Sequence, residues 1–254
     1  MDIQLRPRLT PGSFVRQTTA GWRLSIPTGP PRTYRLAQLD DYASLSRSCF
    51  LHSPPGTLSL RACVSGTDLP GTWGFGVWND PFGFSLGFGG QPGRLPALPQ
   101  TAWFMHASPP NWLSLRDDPE RIPANGFFAG TFRSPGIPPF LFAPGLLALP
   151  LCAIRPISRF LRRLVARIIH QDATKVALDV TQWHDYSIHW SLDGCIFSVD
   201  RKEILRTSCS PPPPLGLVLW IDNQFAAWTP GGQLGYGTLE NPDAWLEIEN
   251  LTLQ

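Results

Sequence analysis

Charge is scarce in this chain. Asp, Glu, Lys and Arg together make up 16% of 254 residues, and the formal net charge is only +2. A dedicated nucleic-acid binder needs a strongly basic face, so that class is excluded. Lysine is almost missing, with two residues against 19 arginines. Arginine suits bidentate contact with phosphate or carboxylate, but a compositional bias of the genome explains the ratio as readily. Cysteine is sparse and unpatterned: Cys49, Cys63, Cys152, Cys195 and Cys209 are odd in number and form no Cys-x-x-Cys pair. A zinc site wants clustered ligands, so no metal is expected, and the five read as buried free thiols in a reducing compartment. Met1 to Arg16 has no apolar core of signal-peptide length, which points to a cytoplasmic, intracellular protein. Nucleotide-binding signatures are missing too: there is no P-loop, and Gly74-Phe75-Gly76 lies inside a strand pattern. No cofactor is implied.

Proline (28) and glycine (23) are abundant, about a fifth of the chain together, and they exclude a mostly helical bundle. Ten Trp and 15 Phe within a 43% hydrophobic fraction give ample material for a core. After a polar lead-in over 1–20, strand-like segments recur: Trp22–Ile26, Thr57–Val64, Thr72–Trp78 and Phe82–Phe88 at period two, with Thr101–Ala107, Phe127–Arg133, Tyr186–Trp190, Cys195–Val199, Leu215–Ile221 and Trp245–Leu253 completing the set. Many short strands with turn residues between them read as an antiparallel sandwich or barrel, and one all-β, two-sheet sandwich over 21–254 is the expectation. Asp193-Gly194 reads as a hairpin turn with positive φ angles.

One region departs from this pattern, an insertion over about 137–182. Ile137 to Ile154 carries no charged side chain but holds four prolines, which argue against a spanning helix. Pro156 then opens an amphipathic pattern over about 156–171. Ile157, Phe160, Leu161, Leu164, Val165, Ile168 and Ile169 form an apolar stripe, and Arg159, Arg162, Arg163 and Arg167 occupy the other positions. The plainer reading packs the stripe on a sheet with the arginines in water. The sharper one lays the helix on an anionic membrane surface.

Trp183-His184-Asp185-Tyr186-Ser187-Ile188-His189-Trp190, followed by Phe197-Ser198-Val199-Asp200, resembles the strand pairing of concanavalin A-like lectin/glucanase jelly rolls, such as glycoside hydrolase family 16. Gly71-Thr72-Trp73 to Trp78 resembles the strand before that family's catalytic strand, and Trp245 to Leu251 its closing strand. The family has glycine after the Val-Asp pair, where this chain has Arg201. The resemblance implies a jelly roll and a carbohydrate or glycoconjugate as ligand. It does not carry the activity, because the Glu-x-Asp-x-x-Glu motif that supplies two carboxylates to the family's hydrolases is missing. Trp103-Phe104-Met105-His106-Ala107-Ser108 stands in its place.

Candidate chemistry therefore rests on other residues. Asp80, ahead of Pro81, and Asp222, in Trp220-Ile221-Asp222-Asn223-Gln224, are the pair that acid/base chemistry would need, with His106 beside them. Each has a structural alternative: a turn, a buried acceptor and a core histidine. Trp78, Trp103 and Trp220 are the expected stacking platforms, with Arg133, Asn223 and Gln224 as hydroxyl partners. His184 and His189 lie five apart, on opposite faces of a strand, and cannot share a metal. Ser108 lacks a Gly-x-Ser-x-Gly elbow. Three functions fit: a carbohydrate-handling jelly roll, with hydrolase-like chemistry left open; a membrane-surface protein holding or converting an apolar small molecule such as a lipid or isoprenoid; and a purely structural sandwich.

Overall fold

The structure, a computed structural model, describes residues 4–81, 94–138 and 149–254. The expected strand Phe82–Phe88 and most of the expected apolar stretch lie outside the described residues.

Strands numbered in chain order form two seven-stranded antiparallel sheets. The first runs β1 (Arg6–Leu9), β4 (Leu36–Asp40), β13 (Gly216–Asp222), β6 (Thr72–Trp78), β7 (Thr101–Ala107), β8 (Gly126–Arg133), β9 (His170–Lys175). The second runs β12 (Lys202–Thr207), β11 (Cys195–Val199), β10 (His184–Trp190), β5 (Gly56–Val64), β16 (Ala244–Leu253), β3 (Gly21–Ile26), β2 (Phe14–Gln17). A separate hairpin pairs β14 (Gln224–Trp228) with β15 (Leu234–Thr238). The chain is an all-β jelly-roll sandwich with one α-helix among the described residues.

Period-two alternation sends Trp73, Phe75, Val77, Phe104, Leu217 and Leu219 into the space between the sheets, where they meet Leu60, Tyr186, Ile188, Phe197 and Leu246. Aromatic rings tie the layers together: Phe104 lies 5.4 Å from Phe197 and 5.1 Å from Tyr186, edge to face in both cases. The first twenty residues, expected as a lead-in, contribute β1 and β2, one to an edge of each sheet. Pro7 is compatible with β1 because an edge strand need not donate on both sides.

Part of the expected insertion also belongs to the sandwich. The helix α1 spans Arg155–Ile168, shorter than the 156–171 periodicity suggested, and β9 follows at once as the outer strand of the first sheet. Its orientation reverses the plainer expectation. The buried residues of α1 are Ser158 and Arg162, while Phe160, Leu164 and Ile168 are exposed. Arg162 is 2% exposed and so cannot be a surface contact. Its guanidinium donates to Trp228 O (2.8 Å), Ser114 O (3.0 Å) and Arg116 O (3.2 Å) and pairs with Asp117. A buried charge must be satisfied in this way or it is expelled. Only Cys63 and Cys195 are buried thiols; Cys49 is exposed, and Cys152 and Cys209 are half-buried.

The turns also differ from the sequence reading. Ser191 to Gly194 closes the β10–β11 hairpin through Ser191 N to Gly194 O (2.9 Å), yet neither Asp193 nor Gly194 has positive φ. The left-handed pair sits in the next hairpin, at Asp200 (φ 48°) and Arg201 (φ 66°), between Val199 and Lys202. A two-residue turn of this kind favours glycine second. Arg201→Gly should therefore stabilise the protein by about 1 kcal/mol in urea unfolding, through relief of the Cβ clash; an unchanged or lower midpoint would contradict that account.

Candidate functional site

The outward face of the first sheet is where the family resemblance leads. Along β6 the outward residues are Thr72, Gly74, Gly76 and Trp78. The two glycines form a floor: a Cβ on Gly74 would sit 2.8 Å from the Trp220 ring, and one on Gly76 2.6 Å from Trp103. The rings lie in the space this leaves. Trp78 and Trp220 are parallel within 3° at 6.2 Å, and Trp103 lies 5.8 Å from Trp220. All three expected platforms thus come together, but they are not open: each is 6–7% exposed, packed with Tyr34, Leu45, Phe50, Leu113, Ile122 and Phe132. Trp78 Nε1 donates to Tyr42 Oη (2.7 Å) and Trp220 Nε1 to Thr72 Oγ1 (2.9 Å). Among the described residues Trp103 Nε1 has no acceptor.

Asp222 closes one end of this face. Its Oδ1 accepts from Thr72 Oγ1 (2.9 Å), Gln224 N (3.1 Å) and Thr72 N (3.2 Å), and its Oδ2 from Tyr34 Oη at 3.4 Å. Burial dominates these bonds and pushes the carboxyl up to about 7. Burial and the neighbouring Asp222 also push the Tyr34 phenol up. Asn223 is fully buried and structural: it accepts from Arg35 N and donates to Thr33 O and Leu239 O. Gln224 opens β14 with a buried Oε1 that has no partner among the described residues.

Asp80 lies beyond the other end. It has φ 48°, is buried, and pairs through Oδ2 with Arg94 at 3.1 Å, while Arg47 donates to its carbonyl. Asp222 is opposite Thr72, and the length of β6 from Thr72 to Trp78 alone puts about 20 Å between the two ends. Paired-carboxylate hydrolysis needs groups about 5–10 Å apart, so these two cannot flank one glycosidic bond. His106 does not join either of them. It faces the sandwich interior, stacked 5.5 Å from Trp73, with Nε2 bonded to Leu69 O at 3.2 Å, and burial lowers its pKa. The outward positions of β7 are Thr101, Trp103, Met105 and Ala107, with no carboxylate among them.

The feature that sequence reasoning missed is an open cleft of about 1090 Å³ at the β9 edge of the sandwich. Arg133, at the end of β8, is opposite His170 on β9. They line it with Asp172 and with Arg116, Asp118 and Arg121 from the connection between β7 and β8. Arg116 leans on the end of α1 through Ala166 O (3.1 Å), and Asp118 Oδ1 accepts from Glu120 N and Arg121 N. Arg133 alone was legible as a ligand-side residue; the others come from segments with no periodic signal. No group of three or more metal-ligating side chains occurs among the described residues.

No protein-family model and no curated protein matches the chain. Solved structures do resemble it. A legume lectin-like domain from Entamoeba histolytica superposes with a TM-score of 0.50 at 8% identity, covering 98% of this chain and 89% of that one. Bacillus licheniformis β-glucanase gives 0.47 at 10% identity over 94% and 80%. LamAcat from Zobellia galactanivorans gives 0.45 at 16% over 93% and 77%. The likeness to the lectin-like domain shows the fold alone, a two-sheet jelly roll of the kind that the strand pairing suggested.

The raised Asp222 carboxyl has a consequence for stability. The folded state keeps a proton that the unfolded chain gives up near pH 4, so the stabilisation is complete below that pH and is lost as pH rises through about 7. Thermal unfolding of the wild type should weaken across this window. Asp222→Asn, which keeps the shape and an acceptor, should flatten the profile and gain up to about 4 kcal/mol at pH 8. A variant with the wild-type slope would show that Asp222 is ionised throughout.

Proposed function

We propose that the protein binds a carbohydrate or glycoconjugate and takes it in the β9-edge cleft rather than on the outward sheet face between Asp80 and Asp222. One observation carries the reading: the cleft mixes guanidinium donors, Arg121 and Arg133, with carboxylate acceptors, Asp118 and Asp172, around a volume that suits a multi-ring ligand. A sugar hydroxyl both donates and accepts, so it needs such a mixture, whereas a purely anionic ligand would be repelled by the aspartates. The fold, shared with a lectin-like domain, makes carbohydrate the first class to test, by analogy only.

A second reading, a protein working at a membrane surface, is favoured by the outward apolar side of α1. The polar lining of the cleft does not favour an apolar small molecule as its ligand.

The test is a glycan-array screen followed by titration calorimetry with any hit. Arg133→Ala and Asp172→Ala should each weaken binding at least about tenfold, the loss of one good polar contact, without moving the unfolding midpoint, because neither side chain is buried. A ligand that binds both variants as tightly as wild type would place the site elsewhere, and a screen with no hit would reject the reading.

A further inference from the structure

We propose that α1 docks in the plane of an anionic membrane surface, with Phe160, Leu164 and Ile168 entering the lipid and Arg155, Arg159, Arg163 and Arg167 at the headgroups. This goes beyond the glycan reading and does not depend on it. The helix presents its polar side to the protein. Ser158 Oγ accepts from Trp228 Nε1 at 2.9 Å, and Arg162 holds the backbone oxygens of Ser114, Arg116 and Trp228. The turn of the β14–β15 hairpin braces its first residues so closely that a Cβ on Gly232 would lie 2.6 Å from Arg155 O. Those contacts fix the rotation of α1 and turn one side of the apolar stripe outward, while Ile157, Leu161 and Val165 are half-buried and Ile169 is buried. Phe160 is 66% exposed, Leu164 44% and Ile168 37%, and Ile154, just before the helix, is 50% exposed.

Charge chooses the occupant. Arg155, Arg159, Arg163 and Arg167 are all exposed, spaced four apart along one flank of the stripe, and α1 holds no carboxylate. Among the described residues, Arg159 makes one long bond, to Gly231 O at 3.4 Å. A second copy of the chain would set one arginine row against another, whereas phosphate-bearing lipid headgroups complement it. The 14 residues span about 21 Å, too short for the roughly 30 Å hydrocarbon layer, so the helix lies along the surface and does not cross it. No helix among the described residues is long and apolar enough to cross a membrane.

The test is flotation of the full chain with phosphatidylcholine vesicles and with vesicles that also contain phosphatidylserine, at low and high salt. Neither carries a glycan, so failure here is separable from failure of the glycan reading. Wild type should float with the anionic vesicles at low salt and be released at high salt. Replacing Arg155, Arg159, Arg163 and Arg167 together by Gln should cut partitioning by about 600-fold, at roughly fivefold per arginine. Phe160→Asp with Leu164→Asp should abolish it. Both variants change only exposed side chains and should keep the wild-type unfolding midpoint. Three results would overturn the proposal: no association at low salt, equal salt-insensitive association with both vesicles, or association that survives both variants. Concentration-dependent self-association removed by Phe160→Asp would overturn it in favour of a second copy.

Discussion

The central strands of the first sheet, β4, β13, β6 and β7, are buried on both faces, and the outer burial depends on two glycines. Antiparallel sheets commonly leave one face to water. Here Gly74 leaves room for the Trp220 ring and Gly76 for the Cα and Cβ of Trp103, so Trp220 lies on the strand and stacks with Trp78 while Trp103 tilts against both. The aromatic layer then becomes a second core, closed by Tyr34, Phe50 and Ile122. The same choice removes the groove that a jelly roll would otherwise offer across that face. It also leaves Asp222 under cover, with its proton held by burial and not by a reaction partner.

With that face covered, the proposed site lies at the margin of the sandwich. The open polar space is at the β9 edge, where strand ends from both sheets and the connection between β7 and β8 converge. Next to it, Arg162 sets the rotation of α1. Arg116 leans on the same helix, so the cleft and the helix share one scaffold. A buried guanidinium with five donors can fasten several carbonyl oxygens at once, and this is how a helix with a strong apolar stripe is held by its polar side.

Ten strand-like segments were visible in the sequence, and the nine that fall among described residues are strands of the sandwich. Where one face of a strand is less covered, burial writes period two into the chain, as in Thr57–Val64, whereas Leu215–Ile221, covered on both faces, shows as a continuous apolar run. β1, β2, β9 and β12 left no such trace because edge strands are partly exposed on both faces. Asp193-Gly194 misled for a related reason. Dipeptide chemistry signals a turn, but pairing register decides which hairpin needs positive φ, and that fell to Asp200 and Arg201.

The candidate site was legible only as a list of residue types. The sequence by itself determined the sandwich, the missing Glu-x-Asp-x-x-Glu motif and the existence of an amphipathic helix, because each depends on local spacing along the chain. Only the tertiary structure decided that Asp80 and Asp222 stand at opposite ends of β6, that His106 faces the core, that the tryptophans are covered, and that Arg162 is inside while Phe160 is outside. Helical periodicity defines two sides of α1 but not which one meets the protein. That follows from the carbonyl oxygens of Ser114, Arg116 and Trp228, which are distant in sequence and brought to Arg162 only by folding.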